Sequence, residues 1–463
     1  MLTAPRGGVQ GACTGSGGAE QDLARGVCAR AFFAFVVTTG VSGRRLGRVV
    51  SAGVVGTTVE FYDFFLYGAA AATVFGPVFF PRTDGLLGVL LALVTYAVGF
   101  AARPLGGLVF GHFGDRVGRK RLLVISLVLM GSASVLIGLL PGYEQIGIAA
   151  PLLLTALRLV QGFALGGEFG GAVLLVAEHG PRERRGFWTA WPQTGGPLGN
   201  LLATASLAAV AASTTAAQYS AWGWRIPFLA SILLVVVGLW VRLQVAESPL
   251  FQAVADQRRE ARAPVLEALR RYPREVFAAF AARVGENAAF YVFTIFLLVY
   301  AGSIGLPTAI TTAAVTVGSL VQALAMLAGG ALSDRLGRRP VAIGAALACA
   351  LWTLVFFPLV ASHQSVLVFL AVAIGLLLHG TLTGAQSAFY AELFGTSVRY
   401  SGVSLGYQAA TVLAGAAAPL AGTALLRATQ SPTPVVVLLV CCLALTVVGM
   451  AVVPETARRE LTS

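Results

Sequence analysis

Apolar residues in this chain come in long unbroken blocks, and the polar residues collect in the short gaps between them. Such blocks match neither the alternation of a half-buried strand nor the narrow stripe of a surface helix. A helix rising 1.5 Å per residue needs about 20 apolar residues to cross a bilayer. Runs of that length predict twelve spanning helices, over 49–76, 85–110, 122–140, 148–177, 187–211, 225–245, 275–301, 308–332, 341–361, 365–390, 400–426 and 434–453.

The gaps repeat. GDRVGRKR begins at Gly114 and SDRLGRRP at Ser333, 219 positions later, while Ala177-Glu178 with Arg185 recurs 214 positions on as Ala391-Glu392 with Arg399. Two landmarks at nearly one offset indicate a duplicated unit of six helices. The expected architecture is an all-α membrane protein with two pseudo-symmetric six-helix bundles, over 49–245 and 275–454. A charged linker over 246–274 joins them, a Gly/Ala/Ser-rich extension over 1–48 precedes them and is expected to be disordered, and a short tail, 455–463, follows. The apolar run Ala31–Val37 is too short to span or to serve as a signal-peptide core.

Composition fits lipid: 57% of residues are hydrophobic, 11% are charged, and the mean hydropathy is +0.81. The net charge of +12 is not spread as a nucleic-acid face. Basic residues cluster on alternate connections: Arg116, Arg119, Lys120 and Arg121; Arg182, Arg184 and Arg185; Arg258 through Arg274; Arg335, Arg338 and Arg339. The positive-inside rule places these loops and both termini in the cytoplasm, and the chain in the inner membrane. No GxxxxGK[ST] loop is present, so no nucleotide partner is expected. Cys13, Cys28, Cys349, Cys441 and Cys442 form no metal-ligand spacing, so no metal is expected either.

Ionisable groups inside the apolar runs need a reason, because each costs about 2.5–3.5 kcal/mol at mid-bilayer on the lenient scale. Glu60, Asp63 and Tyr67 share one face of the first helix. Arg158 and Gln161 share a face of the fourth at similar depth, with Glu168 continuing it. Arg283, Glu286 and Asn287 lie three and four residues apart on the seventh, and His379, Thr383 and Gln386 share a face of the tenth. Arg103, before Pro104, is expected to snorkel to the cytoplasmic interface.

The repeated loop strings read as a breakable charge latch between the halves. Its members are Asp115, Arg116, Arg119, Glu178 and Arg185 in the first half, and Asp334, Arg335, Arg338, Glu392 and Arg399 in the second. The plainer reading is that these charges only fix topology and cap helices.

GTTVEFYDFFLYG at Gly56, RPLGGLVFGHFGDRVGRKR at Arg103, RLVQGFALGGEFGGA at Arg158, WGWRIPFL at Trp222, SDRLGRRP and AELFGTSVRYSG at Ala391 together resemble a major facilitator superfamily transporter. Within it, the chain resembles the metabolite:proton symporters of organic acids, proline and betaine. The resemblance implies that helices 1, 4, 7 and 10 line a central cavity, bringing Glu60, Asp63 and Arg158 within reach of one another. It implies proton-coupled symport of a small organic acid by alternating access, driven by the proton gradient with no cofactor, and a monomer. Asp63 or Glu60 would carry the proton, and Arg158 would hold a substrate carboxylate, with Tyr67, Gln161, Arg283, Glu286, Asn287, His379 and Gln386 around it. A permanent Asp63–Arg158 ion pair tying two helices together is the competing reading. The nearer functional alternatives are a carrier of a zwitterion such as proline or betaine and a sugar-porter-like carrier, since VPET at Val453 resembles a sugar-porter ending; a sensor that does not transport is the remote one.

Overall fold

The computed structural model describes residues 41–117, 119–166, 173, 176–177, 180–244, 269–394, 399–457 and 459. The described residues from Val49 onward form one unit. Twelve long helices make up the described chain: α1 Val41–Thr73, α2 Gly85–Val117, α3 Arg119–Leu139, α4 Ala149–Gly166, α5 Arg182–Ser213, α6 Arg225–Gln244, α7 Pro273–Ser303, α8 Thr308–Leu336, α9 Arg338–Ala361, α10 Ser365–Leu393, α11 Gly402–Thr429 and α12 Thr433–Val452. Among the described residues nine of these are long and apolar enough to cross a membrane, and α6 with its bent neighbour Ala216–Gly223 makes a tenth. The linker expected over 246–274 lies mostly outside the described residues. Helix α1 begins at Val41, within the stretch expected to be an extension.

Packing repeats as the sequence does. The pairs α2/α4, α3/α4 and α3/α6 of the first six helices recur six helices later as α8/α10, α9/α10 and α9/α12. Two further pairs, α5/α8 and α2/α11, cross between the halves and are images of each other under the same shift. Large apolar side chains such as Leu139, Ile148, Leu233, Leu324, Leu351 and Val366 stand exposed, more than a water-soluble surface tolerates and suited to acyl chains. By contrast every residue from 281 to 301 in α7 is buried, so this helix runs through the centre. Wider, π-helical turns interrupt α7 at Val292–Phe296 and α11 at Thr411–Ala416, both beside the polar centre.

Helices α2 and α4 touch backbone to backbone. A Cβ on Gly162 would lie 1.9 Å from the Gly99 carbonyl oxygen, and one on Gly99 would meet Arg158 Nε at 2.6 Å. Only glycine permits this approach, which brings the Arg158 guanidinium against α2.

Candidate functional site

Arg158 is completely buried, and its guanidinium carbon lies 4.4 Å from the Phe64 ring centroid, 4.5 Å from that of Tyr67 and 4.6 Å from that of Tyr96. This aromatic cage holds the cation by ring quadrupoles instead of a counter-charge. Nη1 donates to Gln161 Oε1 at 3.1 Å, and Gln161 Nε2 donates to Ser134 Oγ at 2.7 Å. Arg158 Nε and Nη2 have no hydrogen-bond partner among the described residues. Tyr67 is fixed by a short hydroxyl contact with Thr95, and Tyr96 stacks beside it at 6.1 Å.

Asp63 does not meet Arg158 directly. Its Oδ1 accepts the Ser231 hydroxyl from α6, while the Ser134 hydroxyl of α3 accepts from Gln161 and donates to the Met130 carbonyl at 3.2 Å. The hydrogen-bonded path from the guanidinium therefore runs Arg158–Gln161–Ser134, from α4 to α3, and Asp63 is held separately by α6. Glu60 is buried a turn away.

The second half contributes a denser network. Arg283 Nη1 pairs with Glu286 Oε2 at 2.5 Å and its guanidinium lies 4.0 Å from the Tyr407 ring centroid. Glu286 Oε1 accepts the Thr383 hydroxyl at 3.0 Å and lies 3.2 Å from His379 Nε2, while Gln322 Nε2 lies 2.8 Å from His379 Nδ1. Asn287 donates to Thr411 at 3.1 Å; Gln386 donates to the Ala282 carbonyl at 2.9 Å and accepts from Tyr390 at 3.2 Å. The halves meet where Tyr291 stands edge-on to Phe100 at 5.9 Å and Tyr96 at 6.4 Å.

Arg103 departs from expectation. It is 3% exposed and turned inward over Phe64 and Phe100, at 5.6 and 5.8 Å, so it does not snorkel. The α2/α4 crossing directs it to the centre, which hydropathy along one strand of sequence does not encode. Ser134, Ser231, Gln322 and Tyr96 were likewise not singled out from sequence. The signal for the first three is a polar residue within an apolar run, alone at Ser231 and accompanied by Ser132 and Ser319 at Ser134 and Gln322.

The face carrying the α8–α9 connection is closed by ion pairs. Arg185 of α5 donates to Glu392 Oε1 at 3.0 Å, and Arg338 grips the same carboxylate through Nε and Nη2, both at 3.2 Å. Arg338 Nη1 reaches Asp334 at 2.7 Å, and Asp334 accepts the backbone N–H groups of Gly186 at 2.7 Å and Phe187 at 2.9 Å. An anionic side chain thus sits at a helix start, where free N–H groups and the dipole favour it. Glu455 and Thr456 of the VPET string complete the cluster: Glu455 accepts from the N–H groups of Arg338 and Arg339, at 2.9 and 3.0 Å, and Thr456 donates to Glu392 at 2.9 Å. Partial burial alone would raise the Glu455 carboxyl; backbone N–H donors of Arg338, Ala457, Arg339 and Thr456 hold it below the ordinary glutamate value. Arg335 is exposed and apart from this cluster. Glu168 and Glu178 lie outside the described residues, as do the side chains of Asp115, Arg116, Arg119 and Arg399.

Along the seam, Asn200 donates to Ser319 at 2.8 Å and Thr316 to Thr204 at 2.9 Å. At the opposite face Arg427 of α11 pairs with Asp84 before α2 at 2.8 Å, beside a cavity of about 600 Å³ between α2 and α11. That hydrogen bond, with the Leu87 N–H, holds the Asp84 carboxyl below the ordinary aspartate value.

A repeated six-helix unit, a buried polar centre drawn from both copies and ion pairs across the seam at both faces define a membrane carrier. The Major Facilitator Superfamily model matches residues 53–407 and, in an overlapping match, 310–463. The chain belongs to that family: it is a multi-pass inner-membrane transporter of metabolites and not an enzyme. It is 41% identical over 390 residues to the shikimate transporter of Escherichia coli K12, covering 82% of this chain and 88% of that one. It is 37% identical to the inner membrane metabolite transport protein YhjE of the same organism, over 89% and 95% of the two chains. The proline/betaine transporter of that organism is 30% identical, over 91% and 86%. Among solved structures, the proton:xylose symporter XylE bound to 6-bromo-6-deoxy-D-glucose superposes with a TM-score of 0.70 over 90% of this chain and 97% of that one, at 16% identity, a likeness of fold alone.

Proposed function

We propose that this transporter is a proton-coupled symporter of a small organic acid, working by alternating access as a monomer without a bound cofactor. The carrying observation is Arg158: a fully buried guanidinium whose Nε and Nη2 lack partners among the described residues. Leaving a buried donor unsatisfied costs about 1–3 kcal/mol, and more for a charged group. A carboxylate is the ligand whose two oxygens match a guanidinium edge. Asp63, buried in the same half and bonded to Ser231, is the proton carrier, with Glu60 beside it; substrate binding at Arg158 changes the field in which Asp63 holds its proton. Arg283, Glu286, Asn287, His379 and Gln386 form the opposing wall. The latch face is cytoplasmic, in keeping with its basic loops.

The similarity to a shikimate transporter supports the acid. The similarity to proline/betaine transporters supports a zwitterion, but a quaternary ammonium seeks open aromatic faces, and those of Phe64, Tyr67 and Tyr96 already hold Arg158.

Proteoliposomes with an imposed pH gradient test this. Labelled shikimate, a dicarboxylate and betaine are supplied in turn; an acid should accumulate only with the gradient, and Asp63→Asn should abolish accumulation while leaving exchange across the membrane. Accumulation of betaine alone selects the zwitterion reading, and binding without flux selects a sensor.

A further inference from the structure

We infer that Glu286, His379 and Gln322 form a second proton-binding site, in the second half of the molecule, with the Gln322 side-chain amide turning over as the proton arrives and leaves. The inference deepens the symport reading above and rests on it for its role in transport, while the site itself rests on geometry.

The three residues come from α7, α10 and α8 and are 3%, 1% and 1% exposed. Gln322 Nε2 faces His379 Nδ1 at 2.8 Å. An amide nitrogen has only hydrogens to offer, so with the amide in this orientation Nδ1 accepts and the ring hydrogen belongs on Nε2. That hydrogen points at Glu286, whose carboxylate and carbonyl oxygens lie 3.2 and 3.1 Å from Nε2. One consequence is left over: Gln322 Oε1 is buried without a partner among the described residues. If the ring takes a proton on Nδ1, both ring nitrogens become donors, and rotating the amide by half a turn presents Oε1 to Nδ1–H. The orphaned acceptor is then satisfied, and Nε2–H keeps Glu286. The proton comes from water on the side to which the site opens and returns to water on the other; no other atom is gained or lost.

The groups around the pair are suited to moving one charge. Arg283 holds Glu286 Oε2 on the side away from the histidine, and Thr383 donates to Oε1. Tyr390 and Tyr407 face the Arg283–Glu286 pair from α10 and α11, Cys349 faces Glu286 from α9, and Phe290 lies against the imidazole at 5.6 Å. Against Arg283 and Glu286 together, a neutral imidazole leaves the cluster uncharged and a protonated one leaves it at plus one, the charge a substrate anion brings to zero. Gln322 sits on α8, the helix that joins α5 through Ser319 and Thr316 and carries Asp334 to the latch. An amide that reports the histidine's charge is therefore built into the element on which the halves separate.

The test uses the full chain in lipid with nitrogen-15 histidine and magnetic-resonance detection of the two ring nitrogens, the His379 signals being those absent from His379→Gln. His379 should appear as the Nε2–H neutral form at pH 9 and as imidazolium at pH 5. Glu286→Gln should cut the imidazolium-to-imidazole ratio at fixed pH about tenfold or more, because an opposite charge within hydrogen-bonding distance favours the charged form. Gln322→Leu should cut it in the same direction, and it keeps the reading testable if Glu286→Gln does not fold. A ring in one protonation state from pH 5 to 9, or a ratio unmoved by both substitutions, overturns the inference. Absence of gradient-driven uptake by the unaltered chain would instead overturn the symport reading and leave the ring's titration to be judged by these spectra.

Discussion

Replacing Asp334 by Asn should open the latch face without unfolding the protein. Asp334 and Arg338 both belong to the α8–α9 corner and stay together whether or not the halves separate. The bonds from Gly186 N and Phe187 N, at 2.7 and 2.9 Å, come from α5 and exist only when the face is closed. An asparagine keeps one acceptor oxygen but turns an NH₂ group toward the other donor, so one charge-assisted bond is lost outright and the charge at the helix start disappears. Together these remove about 2–3 kcal/mol from the closed state alone, a shift of about 30- to 150-fold in the closed-to-open ratio. Ala190 reports it: the residue is completely buried and its Cβ faces the α5–α8 crossing at Gly330. A cysteine placed there should be alkylated by a membrane-impermeant maleimide in inverted vesicles, at a rate that rises with the open fraction and is read by peptide mass spectrometry. Arg339→Gln supplies the control, because Arg339 donates to the carbonyls of Met450 and Ala451 in its own half and should leave that rate unchanged. An Asp334→Asn rate equal to that of the parent would refute the assignment of these bonds as a latch and leave them as helix caps.

Arg158→Lys should keep the fold and weaken acid binding about 10- to 150-fold, because an ammonium offers a point charge and cannot present two parallel N–H groups; KM for the transported acid measures it. Gly162→Ala should cost about 1–3 kcal/mol and lower the melting temperature, since its Cβ would lie 1.9 Å from the Gly99 oxygen. Gly344→Ala, with nothing within 4 Å, should be neutral or stabilising in the same melt. At the opposite face, the carboxylate form of Asp84 contributes above the ordinary aspartate value and is lost only as pH falls through a lower one. Alkylation of a cysteine at Ala424 beside it, divided at each pH by the rate of an unhindered reference thiol to remove the thiolate fraction, should therefore not change between pH 5.5 and 7.5, and should rise with salt, which screens an exposed pair.

The spans were legible because burial in lipid imposes one requirement on every position of a helix, which a run of apolar residues records directly. The runs 434–453 and 341–361 correspond to Thr433–Val452 and Arg338–Ala361. Where the two differ, the backbone hydrogen bonds continue past the point at which side chains become polar: α2 reaches Val117 and α10 reaches Leu393, each beyond its apolar run. The duplication was legible in the loop strings and returns as the six-helix shift in packing.

The site was legible one helix at a time. Spacing on single helices put Asp63 with Tyr67, Arg158 with Gln161 and Glu286 with Arg283, and each of these belongs to the polar centre. Spacing could not say which partner each group finds, because that depends on how far apart the helices sit. Arg158 and Asp63 look like an ion pair when only charge is counted. The glycine contact at 99 and 162 presses Arg158 against α2, where the rings of Phe64, Tyr67 and Tyr96 surround it, and Ser231 of α6 reaches Asp63 instead. The same contact turns Arg103 inward. A permanent ion pair would leave neither charge anything to exchange; under the symport proposed above, keeping them apart, one with donors unfilled among the described residues and the other with a hydroxyl partner, is what lets both respond to a solute.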